Sequence, residues 1–182
     1  TLADQWRMSR HLSAEVIVRF TVLMKVVDST NSKYDYFLWS VHNTNGTRLF
    51  SLVFDNSNYS ISTLSQSAAA PVATGATFSN TSIYQLEILM SYGQNEWSAS
   101  LDGVQVVSSQ PMGNAGTASD FGSARGVWLV RDSTTPGNNY MLFDNYAVEV
   151  ITALVPPEFT AHPQSQTVTE GSTVNLTISN TG

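Results

Sequence analysis

The carboxylates are the first groups to test for chemistry in this chain of 182 residues, because a pair of them can hydrolyse a glycosidic bond. In retaining enzymes the two carboxyl groups lie about 5–5.5 Å apart, on either side of the bond that is cut. The glutamates of this chain stand apart, each on a different predicted strand or turn: Glu15, Glu87, Glu96, Glu149, Glu158 and Glu170. The sequence therefore predicts no catalytic pair of acids.

Histidine and serine residues do not indicate a nucleophilic site either. The three histidines are His11, His42 and His162, and the last of them precedes a proline in the tail. The chain contains no G-x-S-x-G sequence, which in α/β-hydrolases holds the nucleophile on a sharp turn. We predict surface histidines in loops at strand ends, and no catalytic residues.

Asp144 is the carboxylate whose position most needs an explanation. It interrupts an otherwise apolar face of a predicted strand, formed by Tyr140, Leu142, Tyr146, Val148 and Val150. A carboxylate that faces a core must be paired, hydrogen-bonded or bound to a metal ion. Three alternatives are open: a metal site, hydrogen bonds from backbone amides, or a bulge that turns Asp144 outward.

Aromatic rings are the second kind of group that could do chemistry, because the CH-rich face of a sugar stacks on a ring while polar groups hold its hydroxyls. Trp39 and Tyr92 are the candidate rings, and Asn43 and Asn45 lie near the turn that follows Trp39. For the tryptophans a place in the hydrophobic core is the alternative, and it applies to Trp39, Trp97 and Trp128.

The elements that must position these residues are β-strands, because apolar residues recur with a period of two. In the segment 15–25 one face carries Val16, Val18, Phe20, Val22 and Met24. Further predicted strands are 34–41, 48–55, 83–90, 96–101, 104–107, 127–131 and 140–151, and 65–75 and 113–124 are predicted loops. Roughly ten strands, separated by short turns such as Asp102-Gly103, predict an all-β, two-sheet antiparallel β-sandwich or jelly roll.

The composition limits the cellular location that we expect and the classes of partner that the protein could bind. Charged residues make up only 12% of the chain, and the formal net charge is −6. Without a basic cluster, binding to nucleic acid or to an anionic membrane has no electrostatic support. The absence of cysteine excludes disulfide scaffolds and thiolate metal sites. A surface rich in Asn, Ser and Thr is common in secreted β proteins, so we predict an extracellular or cell-surface location without membrane insertion.

Three stretches carry a family resemblance: 95–103 (NEWSASLDG), 126–129 (GVWL) and 139–146 (NYMLFDNY). They contain a Trp–strand–Asp-Gly hairpin and a late strand with the order aromatic-Asp-Asn-aromatic. On these stretches residues 1–155 resemble the concanavalin A-like lectin and glucanase superfamily, in the broad laminin G-like sense. The resemblance implies a jelly-roll module of a bacterial surface or secreted protein.

The resemblance has two consequences for the acids. Glucanases of the superfamily carry their catalytic acids in an E-x-D-x-x-E run, which is missing here, so a non-catalytic relative is implied. In the same superfamily an Asp near the place of Asp144 often binds a structural calcium ion, for which Asp28 could supply another ligand. Calcium takes six to eight oxygen ligands, including backbone carbonyls.

The tail begins at residues 156–158, where paired prolines predict a semi-rigid linker. Residues 159–182 resemble the start of a bacterial immunoglobulin-like domain, a resemblance carried by Pro157, Pro163, Val168, Glu170-Gly171, Val174 and Leu176. A fragment of this size cannot close a sandwich alone, and an unpaired strand is an exposed edge. The tail is therefore a candidate for pairing with a neighbouring subunit in a homo-oligomer.

The sequence favours a non-catalytic, lectin-like or adhesion module that binds polysaccharide or a cell-surface glycan. Its predicted ligand-binding residues are Trp39, Asn43, Asn45 and Tyr92, and its predicted calcium ligands are Asp144 and Asp28. The alternative is a structural subunit of a surface assembly or filament, held together by the tail. A glycoside hydrolase is disfavoured, because the cluster of catalytic acids is missing.

Overall fold

The computed structural model describes residues 15–114, 120–153, 158–161, 170–171 and 179–181. Every regular element in that part of the chain is a β-strand. The strands are β1 (Glu15–Val27), β2 (Tyr36–His42), β3 (Arg48–Asp55), β4 (Ser60–Ser65), β5 (Val72–Thr77), β6 (Tyr84–Ser91), β7 (Glu96–Leu101), β8 (Val104–Pro111), β9 (Ser123–Leu129), β10 (Tyr140–Ala153), β11 (Glu158–Ala161) and β12 (Ser179–Thr181). Within it no helix has the length and apolarity needed to span a membrane.

Ten of the strands form two five-stranded sheets. One sheet has the order β10-β1-β6-β7-β8 and the other has the order β5-β4-β3-β2-β9. Strand pairs such as β1 with β6 and β2 with β3 are antiparallel. The predicted fold class, an all-β antiparallel sandwich of two sheets, is confirmed.

The core lies between the two sheets and is built from alternate residues of their strands. Its principal side chains are Val18, Phe20, Val22, Met24, Val26, Phe37, Trp39, Val41, Phe50, Leu52, Phe54, Leu86, Ile88, Met90, Trp97 and Leu101. Burial of each large apolar side chain stabilises the fold by about 1.5–3 kcal/mol. Aromatic contacts join the sheets: the ring centroids of Phe20 and Trp39 are 5.1 Å apart, and Phe50 stacks on Trp97 at 3.9 Å.

The predicted tight hairpin between β7 and β8 is confirmed. Asp102 and Gly103 have φ angles of 50° and 78°, and Leu101 pairs with Val104. Two consecutive positive φ angles are the signature of a type I′ turn, which suits the twist of the strands it joins. The Asp102 carboxylate also accepts a hydrogen bond from the backbone N–H of Gln85, at 2.7 Å, and so ties the hairpin to β6.

The two predicted loops, 65–75 and 113–124, are wrong in part. Strand β5 begins at Val72, inside the first predicted loop, and β9 begins at Ser123, at the end of the second. Both are edge strands. The sequence of β5 (VATGAT) has small residues that are mostly exposed, so it lacks the apolar alternation that marks a half-buried strand.

A bulge changes the face of β10 at Asp144. Asn145 has a φ of 50°, and the rings of Phe143 and Tyr146 both reach the core. Phe143 contacts Trp39 at a centroid distance of 5.5 Å, and Tyr146 contacts Phe20 at 5.6 Å. Residues three apart can share a face only where an extra residue interrupts the alternation. The bulge turns Asp144 outward, which is one of the alternatives that its sequence position left open.

The described part of the tail contains one strand pair. β11 and β12 are antiparallel, with Phe159 opposite Asn180. The tail strands therefore have each other as partners, and the proposed pairing with a neighbouring subunit gains no support. The chain divides into two compact units, Val16–Ile151 and Thr1–Glu15 together with Thr152–Gly182. The predicted linker 156–158 lies largely outside the described residues, and the predicted domain boundaries stay predictions.

Candidate functional site

A slot with a volume of about 250 Å³ opens between the edge strands β9 and β10. We call it the aromatic slot, and it is lined by Phe37, Gly126, Val127, Trp128, Asn139, Tyr140, Met141 and Phe143. Four of these eight residues are aromatic. The slot is therefore apolar, with one neutral amide among its walls, as is common for sites that bind small organic ligands.

The pairing of β9 with β2 explains the floor of the slot. Gly126 lies opposite Trp39 and Trp128 lies opposite Phe37, so both residues of β9 face the space between the sheets. A Cβ atom at position 126 would lie 3.2 Å from Met141 Cε and 3.6 Å from the Trp39 ring. Glycine at this position therefore keeps the floor of the slot open.

Three of the aromatic rings that line the slot are half exposed, and Phe143 is one of them. Trp128 is 52% exposed and Tyr140 is 51% exposed, although the backbone of each lies in an ordered strand. Rings of this size are normally covered in a folded domain, and exposed apolar patches mark interaction sites. A flat apolar ligand could stack on them without any movement of the backbone.

Asp35 fixes the Trp128 ring from behind. Its carboxylate is 1% exposed and accepts three hydrogen bonds, from Trp128 Nε1 at 3.1 Å and from the backbone N–H groups of Arg131 at 2.9 Å and Gly137 at 3.0 Å. A buried carboxylate is costly unless donors satisfy it in this way. Asp35 thus joins the β1–β2 loop to β9 and to the loop before β10.

Asn139 is the one amide that lines the slot, and it is 3% exposed. Its Oδ1 accepts a hydrogen bond from the backbone N–H of Asp35 at 3.2 Å. Among the described residues its Nδ2 has no hydrogen-bond partner. A buried donor without a partner costs about 1–3 kcal/mol.

A second cavity has a volume of about 330 Å³ and is lined in part by Asp35. The Asp35 carboxylate also accepts the hydrogen bond from the Trp128 indole of the slot. We call this second cavity the arginine pocket, and it is lined by Ser32, Lys33, Tyr34, Asp35, Ser57, Arg131, Asp132 and Thr135. Its lining is polar and charged, in contrast to the apolar lining of the aromatic slot. The loops 28–35 and 130–139 supply most of its walls.

Arg131 is held in place by several groups of this end of the sandwich. Its Nε donates to the carbonyl of Tyr34 at 3.1 Å, and its Nη2 donates to Asp55 at 2.5 Å and to Ser57 at 3.1 Å. The guanidinium also lies over the Tyr36 ring, 4.1 Å from its centroid. Burial acts to raise the pKa of Asp55, but hydrogen bonds from Ser57 and Arg131 outweigh it and lower that pKa.

The structure places the predicted ligand-binding residues elsewhere. Trp39 is 2% exposed and belongs to the core, which is the alternative that the sequence left open for it. Asn43 is buried at the β2–β3 turn, where its Oδ1 accepts a hydrogen bond from the backbone N–H of Thr47 at 2.9 Å. Asn45 is exposed in the same turn. None of these residues lines the aromatic slot.

Tyr92 is brought to the same end of the sandwich as Asn43 and Asn45. Asp120 accepts hydrogen bonds from the backbone N–H and the hydroxyl of Thr44, and these bonds lower its pKa. Burial, together with the negative charge of Asp120, raises the pKa of Tyr92 well above its usual value. The structure therefore gathers Tyr92, Asn43 and Asn45 at one end, where the Asn43 side chain accepts a hydrogen bond that holds the β2–β3 turn.

The predicted calcium ligands have other partners. Asp28 accepts hydrogen bonds from the backbone N–H of Ser29 at 2.8 Å and from the Tyr59 hydroxyl at 3.4 Å. Asp144 accepts one from the backbone N–H of Asn145 at 2.7 Å. In the described segments no three His, Cys, Asp or Glu side chains gather as ligands for a metal ion. Since calcium also takes backbone carbonyls as ligands, calcium binding at Asp28 and Asp144 stays a prediction.

Sequence reasoning did not select the residues of the aromatic slot as a binding site. Trp128 and Tyr140 both lie in stretches that carried the family resemblance, but each alternates with apolar neighbours like a core residue. The available signal was the glycine at 126, two residues before an aromatic residue in a predicted strand. Glycine in a strand often marks a place where another group approaches closely.

Comparisons with known proteins support the fold and go no further. No protein-family model matches the sequence, and no curated protein matches it. Among solved structures, a Trypanosoma rangeli sialidase mutant displaying trans-sialidase activity is 14% identical over 72% of this chain, with a TM-score of 0.50. The chain spans about 20% of the length of that sialidase.

Two further solved structures are similar at lower TM-scores. A tetrameric galectin from the ball sponge Cinachyrella sp. is 10% identical and has a TM-score of 0.47. The match covers 74% of this chain and 91% of the galectin chain. The alginate lyase PA1167 from Pseudomonas aeruginosa is 13% identical, covers 75% of this chain and 64% of its own, and also has a TM-score of 0.47.

Proposed function

We propose that this chain is a non-catalytic carbohydrate-binding module whose binding site is the aromatic slot. The observation that carries the proposal is the group of half-exposed rings that line the slot, Trp128, Tyr140 and Phe143. The CH-rich face of a sugar ring can cover these aromatic rings. The fixed Trp128 indole lowers the entropic cost of binding, because it is already ordered.

The lining of the slot supports binding without catalysis. Among the described residues that line the slot there is no carboxylate, histidine, serine or cysteine. Asp35 lies behind Trp128, but it is buried and all three of its hydrogen bonds come from protein donors. A general acid must donate a proton to the leaving oxygen of the substrate, whereas the Asp35 carboxylate accepts hydrogen bonds from the protein.

An extracellular or cell-surface location is part of the same proposal. Charged residues account for 12% of the chain and cysteine is absent, so the surface depends on neutral Asn, Ser and Thr side chains for its solubility. Polysaccharides outside the cell are the natural ligands for such a module. Detection of the protein on intact cells by a surface-restricted protease would test the location.

Isothermal titration against a panel of neutral and acidic oligosaccharides tests the function. Candidate ligands are first selected on a glycan array, and the best one is then titrated against wild type and Trp128→Ala. We expect Trp128→Ala to lower the affinity by about tenfold or more, since stacking on one ring contributes about 1–3 kcal/mol in comparable ring contacts.

Tyr146→Ala is the matched control, because Tyr146 is a half-exposed aromatic residue of β10 that does not line the slot. Its substitution is expected to leave the affinity unchanged within twofold. Equal losses in the two variants would show that the loss reflects general damage to β10. Absence of binding to every glycan of the array would remove the proposal.

A further inference from the structure

The arginine pocket contains hydrogen-bond donors that have no acceptor among the described residues. Hydrogen bonds engage Nε and Nη2 of Arg131, and no hydrogen bond of its Nη1 occurs among the described residues. The ammonium of Lys33, which also lines the pocket, has no hydrogen bond or ion pair in that part of the chain. Two positively charged side chains thus retain free N–H groups at one cavity.

The carboxylates of the pocket already have donors. Asp35 accepts its three hydrogen bonds from Trp128 and from two backbone N–H groups. Both oxygens of Asp132 accept hydrogen bonds, from Thr134 and Thr135 at 2.6–2.9 Å, and these bonds hold the pKa of Asp132 well below its usual range. The free hydrogen-bonding capacity of the lining is therefore weighted toward donors, and it suits a ligand that offers acceptors.

The arginine pocket and the aromatic slot are close enough to serve one ligand. Asp35 accepts hydrogen bonds from Trp128 of the slot and from the backbone N–H of Arg131 of the pocket. Trp128 and Arg131 are three residues apart, so their Cα atoms are at most about 10 Å from each other. An oligosaccharide that stacks in the slot can extend into the pocket.

We infer that the arginine pocket binds the carboxylate of an acidic sugar, so that the ligand of the module is an acidic polysaccharide. Arg131 Nη1 and the Lys33 ammonium donate to the carboxylate oxygens, while Tyr34, Ser57 and Thr135 face the ring hydroxyls. This inference rests on the proposed function, because the neighbouring sugar is held in the aromatic slot. It deepens that function by naming the class of polysaccharide.

Oligogalacturonate and its methyl ester are the probes that isolate the carboxylate. The ester has the same rings and linkages but no negative charge. Titration of wild type with the tetramer of each is expected to give an affinity about fivefold or more higher for the acid. The affinity for the acid should fall when the salt concentration rises from 20 to 200 mM, because the Debye length shortens about threefold, while the affinity for the ester should not change.

Lys33→Gln removes one of the two donors without touching any contact of the fold. It is expected to weaken binding of the acid by about two- to fivefold, the usual range for an exposed ion pair, and to leave the ester unaffected. Lys25→Gln is the matched control, because it removes the same charge from β1, away from the pocket. Arg131→Gln should abolish the preference for the acid, with circular dichroism as the check on its folding.

The outcomes separate the acidic-sugar inference from the proposed function of the aromatic slot. Equal affinities for the acid and the ester, with both lost in Trp128→Ala, would overturn the acidic-sugar inference and leave the aromatic slot in place. An equal effect of Lys33→Gln and Lys25→Gln would also overturn it, since only the net charge would then matter. If neither probe binds but neutral tetragalactose does, the inference alone is wrong. If none of the three binds, the acidic-sugar inference fails, and the glycan array alone decides the proposed function.

Discussion

The β2–β3 turn and the aromatic slot contain similar residue types and use them differently. At the turn, Asn43 satisfies the backbone N–H of Thr47, and Thr44 satisfies Asp120. At the slot, Asn139 Nδ2 has no hydrogen-bond partner in the described part of the chain, and Trp128 remains half exposed. The comparison shows that an amide near an aromatic residue indicates a binding site only where the fold has left its polar atoms and the ring without protein partners.

Of the substitutions that test this comparison, replacement of Asp35 should have the largest effect, and the quantity it changes is the free energy of unfolding. Asp35→Asn replaces an acceptor by an amide whose NH₂ faces existing N–H donors, at a site that is 1% exposed. We expect the free energy of unfolding to fall by about 2–4 kcal/mol, because hydrogen bonds to a buried charged group are lost. Urea denaturation followed by tryptophan fluorescence measures it.

Asp132→Asn provides the control for that experiment. Asp132 is an exposed carboxylate in the same group of loops, and its partners are only the neighbouring threonines. Its substitution should leave the urea midpoint close to that of wild type. If the two variants behave alike, Asp35 does not hold this end of the sandwich together.

Closing the floor of the slot should affect binding more than stability. Gly126→Val places a branched side chain against Met141 and Trp39, where even a Cβ lies 3.2 Å from the Met141 methyl group. We expect the affinity for the best glycan to fall by about tenfold, and Gly126→Ala to cause a smaller loss. Because valine favours strands, the unfolding midpoint should change little. If Gly126→Val binds the glycan with the affinity of wild type, the glycan does not bind in the aromatic slot.

The β2–β3 turn should respond in the opposite way. Asn43→Ala removes the hydrogen bond to the backbone N–H of Thr47 and should lower the free energy of unfolding by about 1 kcal/mol. Glycan affinity should not change, because the turn does not contribute to the slot. Asn45→Ala, at an exposed position of the same turn, should change neither quantity. A tenfold loss of glycan affinity in either variant would support the binding site that the sequence predicts at Asn43 and Asn45.

Calcium removal should have the smallest effect. The carboxylates of Asp28 and Asp144 are occupied by local hydrogen bonds, and no ligand cluster gathers around either among the described residues. We therefore expect the melting temperature to be the same in EDTA and in millimolar calcium. A rise of several degrees with calcium would show that the resemblance to calcium-binding relatives extends to this chain.

The sequence predicted the sandwich more fully than the site. Alternation in β1 and the Asp102-Gly103 turn depend on neighbouring residues, so they can be read from local sequence. The slot depends on the approach of β9 to β10, which are edge strands of different sheets. Trp128 has the pattern of a core residue, and its exposure follows from the tertiary arrangement alone.

The bulge in β10 shows a second limit of local patterns. A period of two assigns Tyr140 and Tyr146 to the same face as Asp144, but the positive φ of Asn145 shifts the faces by one residue. The sequence pattern left the bulge open as an alternative and had no means of choosing it. Contacts of Phe143 with Trp39 and of Tyr146 with Phe20 decide it.

Glycan titration monitored by ¹H–¹⁵N correlation spectra of the tryptophan indoles tests the central claim most directly. The Trp128 indole N–H donates to Asp35 at the slot, whereas Trp39 and Trp97 are buried in the core. The account predicts a saturable shift of the Trp128 indole signal, with the Trp39 and Trp97 signals moving far less. Saturable binding that leaves the Trp128 signal in place would contradict it.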